Sequence, residues 1–331
     1  MDRDIKIGIL GCARIAKSAI VDPCKQSTGL SLGGVASRDL ERATAFADQH
    51  GIDHAYGSYR DLLSDPEIDA IYIPLPNSLH ERWTIAALEA GKPVLCEKPI
   101  AANADATERM AAVARSQNLP LVEAFHYRLH PMALFIDEVI DKGQLGEIRE
   151  VSATFDIPGD RVRDDDIRFR IELAGGAMMD LGAYCMNAVR WASGEEPTVV
   201  AATPMTDKPE IDTAMDVSLA FPSGAIGSIA CSLKGERFRA ELSVIGEHGA
   251  IRAANPFLPH LGNELEIEIL GDVTSHQFGS STTYFHQAKA FAATVRGERS
   301  WRSDLEDSIR NMTIIDEVYR TAGMQPRQSS L

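Results

Sequence analysis

Residues 93–99 read Pro-Val-Leu-Cys-Glu-Lys-Pro, and the apolar centre of this stretch, residues 94–96, is too short for a helix. A run of this kind is typical of a buried parallel strand. Such strands are buried on both faces, so charged side chains are displaced to their ends. Glu97 and Lys98 stand at the carboxyl end, where open α/β sheets bind ligands. Lys98 is therefore a candidate site residue; the alternative is a solvated lysine at the start of a loop.

Strands and helices alternate around this stretch as far as residue 124. The predicted strands are residues 5–10, 30–36, 69–73, 94–96 and 121–123. Helical patterns separate them, which predicts an α/β doubly wound parallel sheet, the Rossmann arrangement. The alternation stops near residue 124, so we expect a dinucleotide-binding domain over 1–124 and a second domain over 125–331.

The second half of the chain has a different pattern. Its predicted strands are residues 148–155, 199–203, 216–221, 225–233, 239–246, 250–253 and 264–270, and its closing helices are 284–296 and 305–321. This predicts an α+β domain with a mostly antiparallel open-faced sheet. One face must be covered by helices, and the other is either solvated or buried in an oligomer.

The composition excludes several classes of partner. The chain has 331 residues and a net charge of −15, which disfavours nucleic acid and membrane surfaces because both attract basic faces. No stretch is apolar enough to span a bilayer, and residues 1–10 lack the apolar core of a signal peptide. Five cysteines without C-x-x-C spacing favour a reducing, cytoplasmic location without a metal site. Residues 164–166, three aspartates, are read as a solvated loop, and the polar tail after Gly323 is expected to fray.

The turn after the first predicted strand has the small residues that dinucleotide binding requires. Gly11, Ala13 and Ala16 match a G-x-G-x-x-G/A pattern with alanine at its second and third small positions, and Arg14 and Ile15 complete the turn. Small side chains permit a tight turn and a close approach to a pyrophosphate at a helix N-terminus. A plain strand-to-helix turn is the alternative.

The end of the second predicted strand bears on the choice of cofactor. Ser37 and Arg38 suit the 2′-phosphate of NADP, whereas an acidic residue would suit the 2′-hydroxyl of NAD. Asp39 follows directly, so the motif favours NADP and leaves NAD open. Ser37 or Asp39 could instead cap the helix that begins at Leu40.

The third loop at this edge follows the strand that ends at Ile73. Ser78 and Glu81 have the spacing of a capping box, which predicts a helix from there to Ala90. Asn77 and His80 would line the cofactor crevice, or they would hold the loop by hydrogen bonds.

Two polar clusters mark the second half. His126, Tyr127, Arg128 and His130 lie where the alternation ends. In the helix predicted over 175–191, the residues spaced i, i+4 and i+7 share one face and are polar: Asp180, Tyr184 and Asn187. Buried polar groups need partners, which a ligand, Lys98 or an internal hydrogen-bond network would provide.

Taken together, these motifs resemble the Gfo/Idh/MocA family of NAD(P)-dependent oxidoreductases over nearly the whole chain. The resemblance rests on residues 11–16, 76–80, 97–99, 127–131 and 175–184. It implies a Rossmann domain, a sheet domain that forms dimers or tetramers, and a Lys98–Pro99 bond that is often cis. It also implies a set of cofactor contacts: Gly11, Ala13, Arg14, Ile15, Ser37, Arg38, Leu75, Pro76, Asn77, His80, Glu97 and Lys98.

The chain departs from many family members at one position. Inositol dehydrogenases carry histidine where this chain has Tyr184, so the resemblance is stronger to the branch with glucose–fructose oxidoreductase, dimeric dihydrodiol dehydrogenase, xylose dehydrogenase and ketosugar reductases. An inositol-type mechanism is therefore doubtful. The expected substrate is a sugar, a polyol or a related cyclic diol, including a trans-dihydrodiol.

The resulting hypothesis assigns the proton chemistry to three residues. Tyr184 exchanges a proton with the substrate oxygen, and since a tyrosine titrates near ~10 in water, a cation is needed beside it. Lys98 is that cation and also a donor to the developing alkoxide. Asp180 holds Lys98 or binds a sugar hydroxyl. His126, Arg128 and Asn187 are the candidates for binding substrate hydroxyls.

Two alternatives belong to other classes. Some relatives of this fold bind NAD(P) and regulate without catalysis, and others retain the cofactor while oxidising and re-reducing one substrate. Net turnover of the cofactor would separate a dehydrogenase from both.

Overall fold

The computed structural model describes residues 3–26, 28–208, 210–298, 301 and 303–330. The chain folds into two compact units. The first comprises Met1–His126, Tyr284–Ile309 and Ser329–Leu331, and the second comprises Tyr127–Thr283 and Arg310–Gln328. Residues 284–309 thus pack with the first unit. The division into functional domains at 1–124 and 125–331 remains a prediction.

The first unit is built on a parallel sheet of six strands, as predicted. The strands are β1 (Ile5–Leu10), β2 (Leu30–Ala36), β3 (Ala55–Tyr56), β4 (Ala70–Ile73), β5 (Val94–Cys96) and β6 (Leu121–Glu123). Their order is β3-β2-β1-β4-β5-β6, and every pairing is parallel. Strand β3 was not predicted, because two residues are too few to show a periodic pattern.

Nine α-helices occur in the described part of the chain, together with two π-helical turns. The helices are α1 (Asp22–Cys24), α2 (Leu40–His50), α3 (Tyr59–Ser64), α4 (His80–Glu89), α5 (Ala104–Gln117), α6 (Pro131–Asp141), α7 (Ala183–Ser193), α8 (Thr283–Val295) and α9 (Leu305–Thr321). The π-helical turns are Lys17–Val21 and Met178–Gly182. The predicted start of α2 at Leu40 and the predicted bounds of α9 are confirmed.

The core of the first unit lies between the sheet and its helices. Ile7, Ile9 and Tyr72 from the central strands are fully buried there. Ala288 and Phe291 of α8 join the same cluster, so this late helix covers part of the early sheet. Burying side chains of this size contributes roughly 1.5–3 kcal/mol each, which explains why a helix distant in sequence packs here.

Side-chain caps fix the starts of three helices in the first unit. Asp39, Ser58 and Asn103 accept hydrogen bonds from backbone amides in the first turns of α2, α3 and α5. The predicted capping box at Ser78 is wrong. A 3₁₀ turn, Asn77–Leu79, precedes α4, so Ser78 lies inside that turn and its hydroxyl bonds to Ser330 instead.

The second unit is built on eight strands. They are β7 (Ile148–Pro158), β8 (Thr198–Lys208), β9 (Ile211–Ala220), β10 (Ile226–Gly235), β11 (Arg239–Gly246), β12 (Gly249–Ala254), β13 (Glu264–Ile269) and β14 (Asp272–His276). The order is β14-β13-β12-β11-β7-β10-β9-β8, and among the described strands of this sheet only β10 and β7 pair in parallel. The mostly antiparallel sheet is thus confirmed, with β14 as an unpredicted edge strand.

The two faces of this sheet differ. Helix α7 packs on β7, β10 and β11 and covers one face. Along β9 and β10 buried and exposed residues alternate, so the opposite side chains point away from α7. Large apolar side chains remain exposed in this unit, among them Val200, Met205 and Ile226.

The tail after α9 does not fray, contrary to the expectation from its polar composition. Arg327 is 1% exposed and pairs with Asp212, which is fully buried. A buried arginine loses hydration and needs a carboxylate beside it, so the pairing that orders this segment comes from a strand more than a hundred residues earlier.

Two kinds of feature are absent from the described residues. No helix within them combines the length and the apolar character that a bilayer crossing requires. No group of three or more His, Cys, Asp or Glu side chains in the same residues could hold a metal ion.

Candidate functional site

The turn after β1 lies at the point where the order of the first sheet reverses. Strand β1 pairs with β2 on one side and with β4 on the other, so the crevice for a ligand opens at their carboxyl ends. Gly11 has φ +103°, and a Cβ on it would lie 2.8 Å from Leu75 Cδ2. Only glycine fits there, and the structure brings two predicted cofactor residues, Gly11 and Leu75, together.

The other residues of the turn lead into a helical segment over residues 15–24. Ala13 and Ile15 are partly buried, and Arg14 is exposed. The first amides of such a segment have no partner in the helix and carry partial positive charge, which suits a pyrophosphate. The residues present therefore fit a dinucleotide.

At the end of β2, the three residues that bear on the choice of cofactor, Ser37, Arg38 and Asp39, have different roles. The Asp39 carboxylate accepts hydrogen bonds from the amides of Glu41 at 2.9 Å and Arg42 at 3.3 Å, which makes it the cap of α2. Ser37 is buried and accepts from the Asp39 amide, whereas Arg38 is exposed. Asp39, which left NAD open in the sequence motif, is therefore engaged in capping α2.

Arg42 is a second arginine beside this strand end, and the sequence reasoning missed it. Its Nη2 donates to the carbonyl oxygen of Cys12 in the glycine turn at 3.3 Å. Burial raises the pKa of the Tyr59 hydroxyl, and the charges of Arg38 and Arg42 oppose that rise. Both guanidinium groups therefore lie near the Tyr59 hydroxyl. The signal in the sequence is the i, i+4 spacing of the two arginines.

His80 links the loop after β4 to the loop after β5. It is fully buried, with Nε2 2.8 Å from the Leu75 oxygen and Nδ1 3.0 Å from the Pro99 oxygen. Two carbonyl neighbours favour the protonated ring, but burial outweighs them and lowers the pKa to about 4. The peptide bond before Pro99 is cis, as the resemblance implies. Pro76 and Asn77 stand at the start of the same loop, partly buried.

Buried acids fix the backbone on both sides of Lys98. Glu97 is 8% exposed and accepts a hydrogen bond from the Tyr72 hydroxyl at 2.7 Å. Glu123, at the end of β6, is 2% exposed and accepts from the Ile100 amide at 2.9 Å. Lys98 itself is partly buried. A reactive group held by buried partners of this kind is preorganised.

In the second unit, the segment with the predicted polar stripe is not a uniform α-helix. It begins with the π-helical turn Met178–Gly182 and continues as α7. Asp180 lies in the π-helical turn, so the α-helical spacing that placed it over Tyr184 does not apply. Turns of this kind are frequent at functional sites.

Tyr184 lies in an aromatic pocket and is 6% exposed. Its ring is 5.9 Å from the Tyr127 ring, 5.6 Å from Phe155 and 5.4 Å from Phe257, measured between centroids. The Tyr127 hydroxyl donates to the Asn187 side-chain oxygen at 2.6 Å. Tyr184 and Asn187 therefore share a face, and one polar contact of Asn187 is internal.

Asp180 has a partner that sequence reasoning did not assign to it. Arg168 Nε donates to Asp180 Oδ2 at 2.5 Å, and its Nη1 donates to Asp166 at 3.0 Å. The Asp180 carboxylate is the largest cause that raises the pKa of Arg168. The pairing of Arg168 with Asp166 is local in the sequence, whereas its pairing with Asp180 depends on the fold.

The remaining substrate candidates lie in different units. His126, in the first unit, is 1% exposed, and its ring lies 4.3 Å from that of Tyr284. Arg128, in the second, stacks on Trp191, with Cζ 4.4 Å from the ring centroid. His130 Nδ1 accepts from the Met132 amide and caps α6. Their contact with a substrate stays a prediction, as does the joint action of Lys98 and Tyr184.

Comparison with family models covers both units. Residues 5–125 match the model of an oxidoreductase family with an NAD-binding Rossmann fold, and residues 134–252 match the GFO/IDH/MocA C-terminal domain. Together these matches span well over half of the chain.

The chain is also similar to individual proteins. It is 36% identical over 322 residues to a D-xylose 1-dehydrogenase (NADP(+)) of Haloferax volcanii, covering 95% of this chain and 96% of that protein. It is 35% identical over 223 residues to a trans-1,2-dihydrobenzene-1,2-diol dehydrogenase of Bos taurus, covering 67% and 65%. A solved 3-ketoreductase of Actinomadura kijaniata, in complex with NADP and TDP-benzene, matches with TM-score 0.86 at 28% identity, covering 97% and 98%.

Proposed function

This chain belongs to the Gfo/Idh/MocA family of NAD(P)-dependent oxidoreductases, and on that premise we propose that it transfers a hydride between NADP and a CH–OH carbon of a sugar, polyol or related cyclic diol. The observation that carries the proposal is the fitted glycine turn, Gly11 against Leu75, in a chain that matches both domains of the family. A glycine turn at this edge of the sheet lets the backbone approach a ligand closely.

The preference for NADP over NAD rests on the end of β2. Arg38 and Arg42 supply two guanidinium groups there, and Asp39 is engaged as a helix cap. Guanidinium groups bind phosphate through several donors at once, whereas a ribose hydroxyl is recognised by a free carboxylate. The NADP-dependent xylose dehydrogenase among the relatives supports the same choice.

The chain handles the proton while a bound nicotinamide supplies the hydride chemistry. In our proposal Tyr184 Oη, in its ionised form, accepts the proton of the substrate hydroxyl during oxidation, and the protonated phenol returns it during reduction. Lys98 Nζ donates a hydrogen bond to the oxygen as its negative charge develops. Glu97 and Glu123 support this role, because they fix the backbone next to Lys98 in a buried setting.

Substrate hydroxyls are bound by His126, Arg128 and Asn187 in this proposal. Asp180 adds a carboxylate whose geometry is set by Arg168. Because Arg168 holds Asp180 in place, the carboxylate presents a fixed acceptor, which suits a hydroxyl of a neutral polyol.

The aromatic pocket around Tyr184 favours a second candidate, a trans-dihydrodiol. Tyr127, Phe155 and Phe257 provide apolar walls, and a mammalian dihydrodiol dehydrogenase is among the relatives. A flat carbocycle would bury more apolar area against these rings than a pyranose.

One anaerobic panel tests both candidates. Aldoses, ketosugars, inositols and trans-dihydrodiols are supplied in turn with NADP and then with NAD, and absorbance of the reduced nicotinamide is followed. We expect a steady change with NADP and at least one sugar or dihydrodiol. A folded protein that gives no net change with any pair would contradict the proposal.

Self-association through the open face of the second sheet is a further part of the proposal. Ser218, Ser228, Ser152 and Ser243 are register partners across four adjacent strands and form a flat row of small side chains. Such a row lets a second copy approach closely. Light scattering should give a dimer or tetramer, and Ser228→Arg should give a monomer. Ser223→Arg, in the exposed β9–β10 turn, is the control.

A reducing location such as the cytoplasm is supported by the thiols. All five cysteines are free, and three of them, Cys96, Cys185 and Cys231, are buried. Fractionation of the cells that make the protein would test this placement.

A further inference from the structure

The last residues of the second unit hold the start of the segment that carries Tyr184. Arg327 lies beyond α9 in irregular chain, yet it is among the largest fully buried side chains of the protein. Its guanidinium stacks on Tyr319, with Cζ 4.2 Å from the ring centroid. Nothing in the proton chemistry proposed above uses this buried charge.

The donors of Arg327 reach two distant segments, besides the nearby oxygen of Gln325 at 3.5 Å. Nε donates to the carbonyl oxygen of Gly175 at 2.7 Å, and Nη2 donates to Asp212 Oδ1 at 2.5 Å. One planar side chain therefore joins the glycine turn before the π-helical turn to the first residues of β9.

Asp212 completes the connection from the other side. Its Oδ2 accepts from the Met178 amide at 2.6 Å, which is the first residue of the π-helical turn. Its Oδ1 also accepts from the Tyr319 hydroxyl at 3.0 Å. The carboxylate thus acts as an N-terminal cap supplied from a distant strand, with no residue of the segment itself capping it.

Gly176 has no room for any other side chain beneath this pair. Its φ is +130°, and a Cβ there would lie 2.2 Å from Asp212 Oδ1. This close approach explains the glycine at 176, whereas a Cβ on Gly175 would lie 2.5 Å from the carbonyl oxygen of Arg168. Arg327 binds the backbone at Gly175 and Asp212 binds it at Met178, so the pair clamps both sides of the turn.

We propose that Arg327 and Asp212 are positioning residues, which set the entry of the helical segment and thereby the placement of Tyr184 and Asp180. The inference rests on the proposed function for its catalytic consequence. A buried ion pair contributes little net stability compared with an apolar pair of equal size, so its value here is geometric. A misplacement of about 1 Å at a reacting group can lower turnover by about a hundredfold.

The test compares Arg327→Met with Arg149→Met, the same change at an arginine of β7 that is 55% exposed and whose partner Glu147 is also exposed. Turnover is measured per folded protein, well below the melting temperature of each variant. Arg327→Met should lower kcat by at least about tenfold and leave the KM for NADP unchanged, because the proposed cofactor residues belong to the first unit. Arg149→Met should change neither.

The double variant Asp212→Asn with Arg327→Met separates positioning from stability. It removes both charges, so no uncompensated charge stays buried and the melting temperature should recover toward wild type. The kcat should stay low, because the Gly175 carbonyl still lacks its donor. Arg327→Lys should rescue kcat only in part. Recovery of kcat together with melting temperature would overturn the proposal.

Hydrogen exchange gives a readout that does not depend on activity. Peptides covering residues 177–184 should exchange at least about tenfold faster in Arg327→Met and in the double variant, and not in Arg149→Met. Unchanged exchange there would overturn the positioning role. A wild-type protein inactive in the substrate panel would refute the proposed function instead, and the exchange result would still decide this inference.

Discussion

The loop that carries Lys98 and the segment that carries Tyr184 are both held by buried polar groups, but by different chemistry. Around Lys98 the anchors are single groups that meet backbone atoms or a hydroxyl: His80 on two carbonyl oxygens, Glu97 under Tyr72, and Glu123 on the Ile100 amide. Before Tyr184 the anchors are ion pairs, Arg327 with Asp212 and Arg168 with Asp180.

The difference predicts how each region fails. A neutral histidine buried among carbonyl groups is sensitive to acid, because protonation puts an unhydrated charge in the interior. An ion pair is sensitive to loss of one partner, since the other charge is left alone. In neither region is the proposed reactive group, Lys98 or Tyr184, one of these anchors.

The largest expected effect is that of Lys98→Ala. It removes both a donor to the developing alkoxide and a positive charge, so kcat should fall by about 10³-fold or more. The fold should keep its stability, because the loop is held by Glu97, Glu123 and His80. Turnover and thermal unfolding are measured together.

Lys142→Ala, at an exposed lysine after α6, is the matched control and should retain wild-type turnover. A Lys98→Ala protein that melts far below wild type would show that the lysine is an anchor and would break the comparison between the regions.

Tyr184→Phe is next in size. The change removes only the hydroxyl, so the aromatic pocket formed with Phe155 and Phe257 is kept. Loss of acid–base assistance should lower kcat by about 10²-fold or more. If the variant keeps more than about a tenth of wild-type turnover, with the chemical step rate-limiting, the assignment to Tyr184 is wrong.

The acid sensitivity of the Lys98 region depends on His80. Its pKa is lowered to about 4 in the fold from 6.5, so between these values the unfolded chain binds more protons than the native protein. The contribution of His80 to the free energy of unfolding is therefore fully present above pH 6.5 and is lost as the pH falls toward 4. The loss is at most about 3 kcal/mol. Chemical denaturation at several pH values measures it.

The matched variants are His80→Asn and His248→Asn, the second at an exposed histidine. His80→Asn should be less stable at neutral pH and should show a flatter pH dependence between 4 and 6.5. His248→Asn should follow the wild-type curve. If the free energy of unfolding depends on pH equally in all three proteins, His80 is not the source of the acid sensitivity.

The smallest effect is expected for Arg38→Ala, away from both anchored regions. Loss of one charged hydrogen bond to the 2′-phosphate should raise the KM for NADP about tenfold, equivalent to about 1.4 kcal/mol, and leave the KM for NAD unchanged. Arg60→Ala, at an exposed position of α3, is the control. An equal change for both cofactors would argue against a phosphate contact.

The sequence was sufficient wherever a local pattern sets the structure. The alternation of apolar strands and amphipathic helices predicted both sheets, and the apolar run before Glu97 predicted β5 with its correct bounds. Gly11 and Leu75, predicted separately for the same edge, are in contact. Local propensity and burial pattern agree in these elements, so they can be predicted from the sequence.

The sequence was insufficient where a residue's partner is distant. Ser78 matched a capping box, but the preceding 3₁₀ turn and Ser330 changed its role. The stripe of Asp180, Tyr184 and Asn187 assumed a regular helix, and the π-helical turn removed that register for Asp180.

The amino-acid sequence by itself therefore determined the two-sheet architecture, the family and the residue types available for chemistry, because period, turn glycines and strand ends are local properties. Only the tertiary structure decided which charges are buried together: Arg327 with Asp212 and Arg168 with Asp180. From the sequence, a polar residue is predicted to be solvated, whereas in the fold a distant partner can bury it away from water. The free energy of that step depends on the fold and not on neighbours in the chain.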